Sequence, residues 1–355
     1  MSRVPKIGVL YGQERSFPEA LVRTINDRYK GRVTAEPVQI GAVPQDEPPA
    51  YDLIFDRISH EVPFYRSWLK AAAARGVQVL NNPYWWSTDD KFICNIIAQA
   101  AGVMVPKTVL LPHRDHPPNT TGDSFSNLVF PVDWDEVFGY LGFPIFIKPA
   151  FGGGWRDVHK VDNAEEFFAA YAKTGSLSMI AQEAIVFTEY FRCYALGRSL
   201  VRVMRWDPSK PHAERYAREP EPIPAALEER LRRDCVALCE ALGYDLNTIE
   251  LAIRGGVPYA IDFMNPAPDC DVNSVGQKNF DWVVSNAADL LAERALNPRP
   301  FEMTGSWPAL FAGGGGANGG AKALAGAAAK ASRGAAAKSA KPAAAPRERT
   351  AKTKK

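Results

Sequence analysis

The sequence predicts an N-terminal α/β unit, a longer α+β stretch behind it and a basic tail with no core of its own. Three observations carry this reading. Residues 1–85 alternate short apolar runs with amphipathic segments. Residues 86–305 mix helices with strands that pair through hairpins, the clearest at Gly255-Gly256. From Ala312 the chain is Ala, Gly, Lys and Pro with almost no large apolar side chain.

In order, KIGVLYG is an apolar strand ending at Gly12, and Ser16-Phe17-Pro18-Glu19 opens a helix with a cap and an early proline. YDLIFDRIS is a strand, a helix spans 62–74, and VQVLN is a strand. Together they predict a small parallel sheet with helices on its faces. Ser87-Thr88-Asp89-Asp90 starts a helix with an N-cap and an acidic first turn. Phe92, Ile93, Ile96, Ile97 and Ala100 form its apolar face, and Gly102 ends it. VPKTVLLP is a strand, and residues 113–133 form a long polar surface loop. A helix at 134–141, the strand FPIFIKPA, a glycine loop, DVHKV, a helix at 164–173 and MIAQEAIV follow. Then come EYFRCYALG and RSLVRVMRW, a helix at 224–242, the hairpin strands TIELAIR and PYAIDFM, and a last helix at 280–295.

The chain has 355 residues, enough for two or three packed units. Its formal charge of +2 hides an asymmetry. From Ala312 onward there are seven lysines, three arginines and one glutamate, a net of +9, which leaves −7 on residues 1–311. The body is mildly acidic, so nucleic acid is not its expected partner, and the tail predicts only weak non-specific attraction to it. Five cysteines without a C-x-x-C pair suit a reducing compartment. Cys235 and Cys239, one helical turn apart with no histidine near them in sequence, read as packing. No signal-like or membrane-length apolar run occurs, and a cytoplasmic location is expected. There is no G-x-x-x-x-G-K-[ST]. The G-x-G-x-x-G at Gly314, Gly316 and Gly319 lies in the tail with no strand before it, an accident of composition.

Three clusters carry chemistry. Lys148 follows the apolar run Phe143 to Ile147, where a bare ammonium would be costly, and three glycines, Gly152, Gly153 and Gly154, come just after it. Their amides could point at phosphate oxygens; a strand-end lysine before a flexible hairpin is the other local reading. Lys91, in the first turn of its helix, opposes the macrodipole unless an anion is drawn to the same spot; a solvated surface lysine is the alternative. Glu250, Asp262 and Asn265 sit in otherwise apolar strands joined by the Gly255-Gly256 hairpin. A hard cation such as magnesium would reconcile them, as would side chains facing solvent or bonding backbone.

The order of these motifs resembles the ATP-grasp superfamily, especially the branch with glutathione synthetases and ribosomal-protein glutamate ligases. The stations are Asp-Lys at a helix start, a strand ending Ile-Lys-Pro before a glycine loop, Gln-Glu, Glu-x-x-Arg, and acidic–acidic–Asn-Pro. The resemblance runs from Lys6 to Pro300. It implies an ATP-grasp fold with a Rossmann-like pre-ATP-grasp domain (1–85), an N-lobe (86–185), a C-lobe (186–305) and a disordered tail (306–355). It also implies ATP and Mg2+ as cofactors. Lys91 and Lys148 look like the phosphate-contacting lysines, and Gly152 to Gly154 like the loop that closes over them. Gln182 and Glu183 are similar to the hinge beside the adenine, and Glu189 begins the acidic–x–x–arginine motif. Arg192 and Arg205 resemble the catalytic arginines, Glu250, Asp262 and Asn265 the magnesium ligands, and Arg57 a substrate contact.

The implied function is an ATP-dependent carboxylate–amine ligase, or less readily carboxylate–thiol, working through an acyl phosphate on small-molecule or peptide substrates. A kinase-like phosphotransferase and a non-catalytic ATP-binding module are the alternatives. Two departures stand out. Asp262 and Asn265 are three apart, so a regular strand would turn them to opposite faces. A β-bulge at Phe263-Met264 would restore convergence; failing that, Asp269 or Asp271 would substitute. Asp269 also stands where the family has glycine.

Overall fold

The structure is a computed structural model and describes residues 3–84, 90–211, 214–217 and 221–299. The tail expected from residue 306, with its glycine motif, lies outside the described residues, as do Ser87, Thr88 and Asp89.

Three four-stranded sheets organise the chain. The first has the order β2-β1-β3-β4, from β1 (Lys6–Leu10), β2 (Thr34–Pro37), β3 (Leu53–Asp56) and β4 (Gln78–Leu80). Every pairing is parallel, as the alternating pattern predicts. Strands of a parallel sheet are buried on both faces and need helices to cover them. Helix α1 (Ser16–Arg28) packs Phe17, Leu21 and Ile25 with Ile7, Val9 and Leu53 on one face. Helix α2 (Pro63–Ala74) packs Leu69, Ala72 and Ala73 with Ile54 on the other. Ser16 differs from its expected capping role: it makes no cap bond and donates its hydroxyl to Asp271 Oδ2 at 2.7 Å.

Helix α3 (Lys91–Ala100) leads into the second sheet. Its N-cap is Asp90, whose side chain accepts from Ile93 N, and its first turn holds no acidic residue. The buried face is Cys94, Asn95, Ile97 and Ala98, rotated from the expected one because the core lies towards the third sheet.

The second sheet, order β5-β8-β6-β7, is antiparallel. Its strands are β5 (Thr108–Leu111), β6 (Ile145–Pro149), β7 (His159–Val161) and β8 (Met179–Glu183). Helices α4 (Trp134–Leu141) and α5 (Ala164–Tyr171) cover one face, burying Ile145, Ile147, Met179 and Ala181.

The third sheet, β10-β9-β11-β12, is also antiparallel: β9 (Glu189–Leu196), β10 (Leu200–Arg205), β11 (Leu246–Arg254) and β12 (Val257–Asp262). One face packs Phe191, Cys193, Ile249 and Leu251 on α3 and on α6 (Ala225–Leu242), whose Cys235 and Cys239 are buried free thiols in that core. The opposite face meets helix α8 (Gln277–Leu296) through Tyr194, Leu196 and Leu246, in a core shared with the first sheet. A short helix, α7 (Val272–Val275), precedes α8. Among the described residues no helix is long and apolar enough to cross a membrane.

Candidate functional site

Strand alternation builds the site. On β6 and β8 the residues Ile145, Ile147 and Ala181 face their own helices, so Phe146, Lys148 and Gln182 face the other way. On the third sheet Phe191 and Leu251 face α6, so Tyr190, Glu250 and Ala252 face the second sheet. The two walls enclose a cavity of about 470 Å³, roofed by the glycine loop after β6.

Lys148 projects into this cavity from β6. Burial lowers its pKa to about 8, against the pull of Asp262 and Glu250 and with a further push from Lys91. Lys91 begins α3 and ties the loop down twice: its backbone N–H donates to Ala150 O at 2.9 Å and its Nζ to Gly152 O at 2.5 Å. Gly152 and Gly154 have φ of +80° and +77°, in the region that favours glycine; Gly153 does not. A Cβ at any of the three would meet open space, so the first and third supply backbone conformation rather than room.

Gln182 is buried and donates to Thr108 Oγ1 at 2.9 Å. Glu183 takes Arg254 Nη1 at 2.5 Å, which fastens the end of β8 to the end of β11.

Across the cavity Glu250 and Asp262 are direct partners on β11 and β12. The register then jumps to Leu251↔Ala260, leaving Ile261 as an extra residue. The bulge therefore lies at Ile261, not at the expected Phe263-Met264, because Phe263 is needed in the α6-facing core. Burial and the nearby Asp262 raise Glu250 to about 7; Arg192, a hydrogen bond from Tyr190 and Lys148 oppose the rise. Asn265 turns back into β11, taking Asn247 Oδ1 on its N–H (3.0 Å) and giving Nδ2 to Thr248 O (2.9 Å). Asp269 is occupied by Ser274 Oγ and Asp271 N, and Asp271 by Ser16 Oγ and Asn273 N, so neither replaces Asp262. Among the described residues no group of three His, Cys, Asp or Glu side chains could by itself hold a metal. Two opposed carboxylates on the wall of this cavity nevertheless fit a hard cation that takes its other oxygens from a bound ligand.

Other expected residues are not brought here. Arg205 pairs with Phe191 in register, so it shares that residue's face and points away from Glu250. It stacks on the Phe191 ring at 5.2 Å and binds Glu189 at 2.7 Å, which takes both residues out of the cavity. Arg57 is buried against Phe17, with Glu14 at 2.7 Å and Pro268 O at 2.6 Å, so its Nε and Nη2 are held within the protein. Arg192 does share the face of Glu250. Its Nε lies 3.8 Å from Glu250 Oε1, and its guanidinium is 5.5 Å from the Trp206 ring centroid. Burial works to lower its pKa and is outweighed by Tyr216, Glu250 and Asp262, which hold the charge firmly on.

Sequence reasoning missed Tyr190, which lines the cavity and donates to Glu250 Oε2 at 2.8 Å. Its position two before Arg192 on the same strand was the available signal.

The raised Glu250 gives a pH prediction. Its folded value of about 7 exceeds the unfolded 4.5, so the stability it contributes is complete below pH 4.5 and lost as pH rises through 7. Without ligand, Glu250→Gln is expected to be more stable than the parent at pH 8 by on the order of 1–3 kcal/mol. The gap should close near pH 4.5. Urea midpoints at the two pH values check this, and a gap independent of pH would contradict it.

No protein-family model matches the chain. Among curated proteins, a D-alanine–D-alanine ligase of Ralstonia nicotianae is 26% identical over 182 residues, covering 44% of this chain and 55% of that protein. One from Aromatoleum aromaticum is 26% identical over 191 residues, covering 50% and 56%. The chain thus spans about half the length of the curated relatives it matches. Solved structures align far more fully. The D-alanine–D-alanine ligase of Bacillus anthracis complexed with ATP matches with TM-score 0.57 and 19% identity over 82% of this chain and 98% of the other. The VanG D-Ala:D-Ser ligase of Enterococcus faecalis gives 0.60 and 18% over 82% and 100%. A RimK domain protein of ATP-grasp type from Sphaerobacter thermophilus gives 0.58 and 17% over 81% and 99%. With two antiparallel sheets clasping one cavity behind a parallel-sheet unit, the chain has the fold of the ATP-grasp superfamily.

Proposed function

We propose that this chain is an ATP-dependent carboxylate–amine ligase. The supporting observation is the pairing of walls: Lys148 and the Lys91-tethered glycine loop on one side, and the Glu250–Asp262 carboxylate pair on the other, around one cavity. Cations and loop amides suit the β- and γ-phosphates of ATP, with the base beside Gln182 and the end of β8. Glu250 and Asp262 would hold magnesium, which when bound neutralises phosphate charge, and Asn265, three residues beyond Asp262 and bonded through Nδ2 to Thr248 O, could add its amide oxygen. Arg192 stands beside Glu250, where phosphoryl charge would develop. In the reaction a substrate carboxylate oxygen takes the γ-phosphoryl group and ADP leaves. An amine nitrogen then attacks the acyl carbon, expelling phosphate and losing a proton. The residues present hold and neutralise these groups; the domain limits 1–85, 86–185 and 186–305 belong to this same reading.

The relatives' names suggest the first substrates to try. D-alanine alone, then D-alanine with D-serine, should be followed by a panel of other acids and amines. The expected outcome is ADP and phosphate released in equal amounts only when acid and amine are both present. ADP without phosphate in the presence of an alcohol would favour a phosphotransferase. ATP binding with no acceptor-dependent release across the panel would favour a non-catalytic binding module.

A further inference from the structure

Glu250 presents two oxygens, and different groups meet them. Tyr190 OH donates to Oε2 at 2.8 Å, while Arg192 Nε stands 3.8 Å from Oε1. Tyr190 is itself held. Its ring lies 5.0 Å from Phe187 in an edge-on arrangement and 5.4 Å from the Trp206 ring, and its backbone carbonyl accepts the Trp206 backbone N–H at 3.1 Å. Phenylalanine would pack equally well between those rings, so packing does not account for the hydroxyl. What the hydroxyl adds is its bond to Glu250.

We infer that Tyr190 is a positioning residue for Glu250, fixing the rotation of the carboxylate so that Glu250 and Asp262 present a ready oxygen pair to a divalent cation. The inference rests on the proposed magnesium role of Glu250. A ligating carboxylate free to rotate must be ordered at each binding event; one already held by a neutral donor need not be. Removing such a supporting hydrogen bond ordinarily costs 10- to 100-fold in metal affinity. Arg192 does not replace it, since 3.8 Å is beyond hydrogen-bond distance and its charge repels an incoming cation.

The test uses the full chain with ADP bound and Mn2+ as probe, its affinity read from the relaxation of water protons. Tyr190→Phe is expected to weaken Mn2+ by about 10- to 100-fold. ADP affinity without metal should stay unchanged, while the thermal midpoint falls modestly because a buried acceptor loses its donor. Glu250→Gln is expected to weaken Mn2+ at least as much, and Tyr190→Phe added to Glu250→Gln should cost nothing more, since Tyr190 acts through that carboxylate. A loss that adds fully in the double variant would assign Tyr190 a role elsewhere and overturn the inference. So would Mn2+ binding unchanged in Tyr190→Phe but weakened in Glu250→Gln, with the metal site standing. If Glu250→Gln binds Mn2+ like the parent, the magnesium reading itself falls.

Discussion

Replacing Lys148 by alanine is expected to lower ATP turnover by about 10²–10³-fold, the usual cost of losing a preorganised donor aimed at developing charge. The chain should stay folded. In the folded, ligand-free chain burial disfavours the ammonium, lowering its pKa to about 8 from 10.5. A group whose folded pKa is depressed contributes stability above its unfolded value and loses it as pH falls through the folded one. At pH 7 the ammonium therefore gives no net support to the fold, and only the packing of its stem is lost. Steady-state ADP release with circular dichroism of the same preparation checks both halves. Unchanged turnover in a folded Lys148→Ala chain would place the phosphates elsewhere.

Arg57→Ala is expected to act in the opposite way, costing about 3–5 kcal/mol of stability rather than substrate affinity. Arg57 is 6% exposed and sits on the face of Phe17, and its Nε and Nη2 reach both oxygens of Glu14. Its bond to Pro268 O fastens β3 of the first sheet to the chain that follows β12. Removing it leaves Glu14 without its partner and opens a space beside the core that the first and third sheets share. Chemical denaturation measures this directly. A stable Arg57→Ala chain with a selectively raised KM for the acid would restore the substrate role that the sequence suggested.

Lys148, Lys91 and the acidic hairpin were legible in the sequence because each breaks a local rule: a lysine closing an apolar strand, a cation at a helix start, carboxylates in buried strands. Such conflicts survive in one dimension. The errors share a different cause, since they depend on which face a side chain takes or which distant group it meets. Arg205 looks equivalent to Arg192 until the β9–β10 register pairs it with Phe191. The bulge at Ile261 follows from the need to bury Phe263, which spacing alone does not reveal. Arg57 reads as a free cation because Glu14 lies on another segment, and Tyr190 is silent because an aromatic residue in a strand breaks no rule. The expected bounds of α4, 134–141, match the structure, where Asp133 caps one end and Gly142 closes the other.

Protection of Lys148 by nucleotide tests the central claim most directly. With a pKa near 8 this amine is partly unprotonated at pH 8 and open to acylation, whereas the exposed Lys160 serves as an internal reference. Acetylation of the full chain, with and without saturating Mg·ATP, can be mapped by mass spectrometry of its peptides. If ATP lies in this cavity, labelling of Lys148 and Lys91 should fall steeply while that of Lys160 holds. Equal labelling of Lys148 with and without bound ATP would contradict the account.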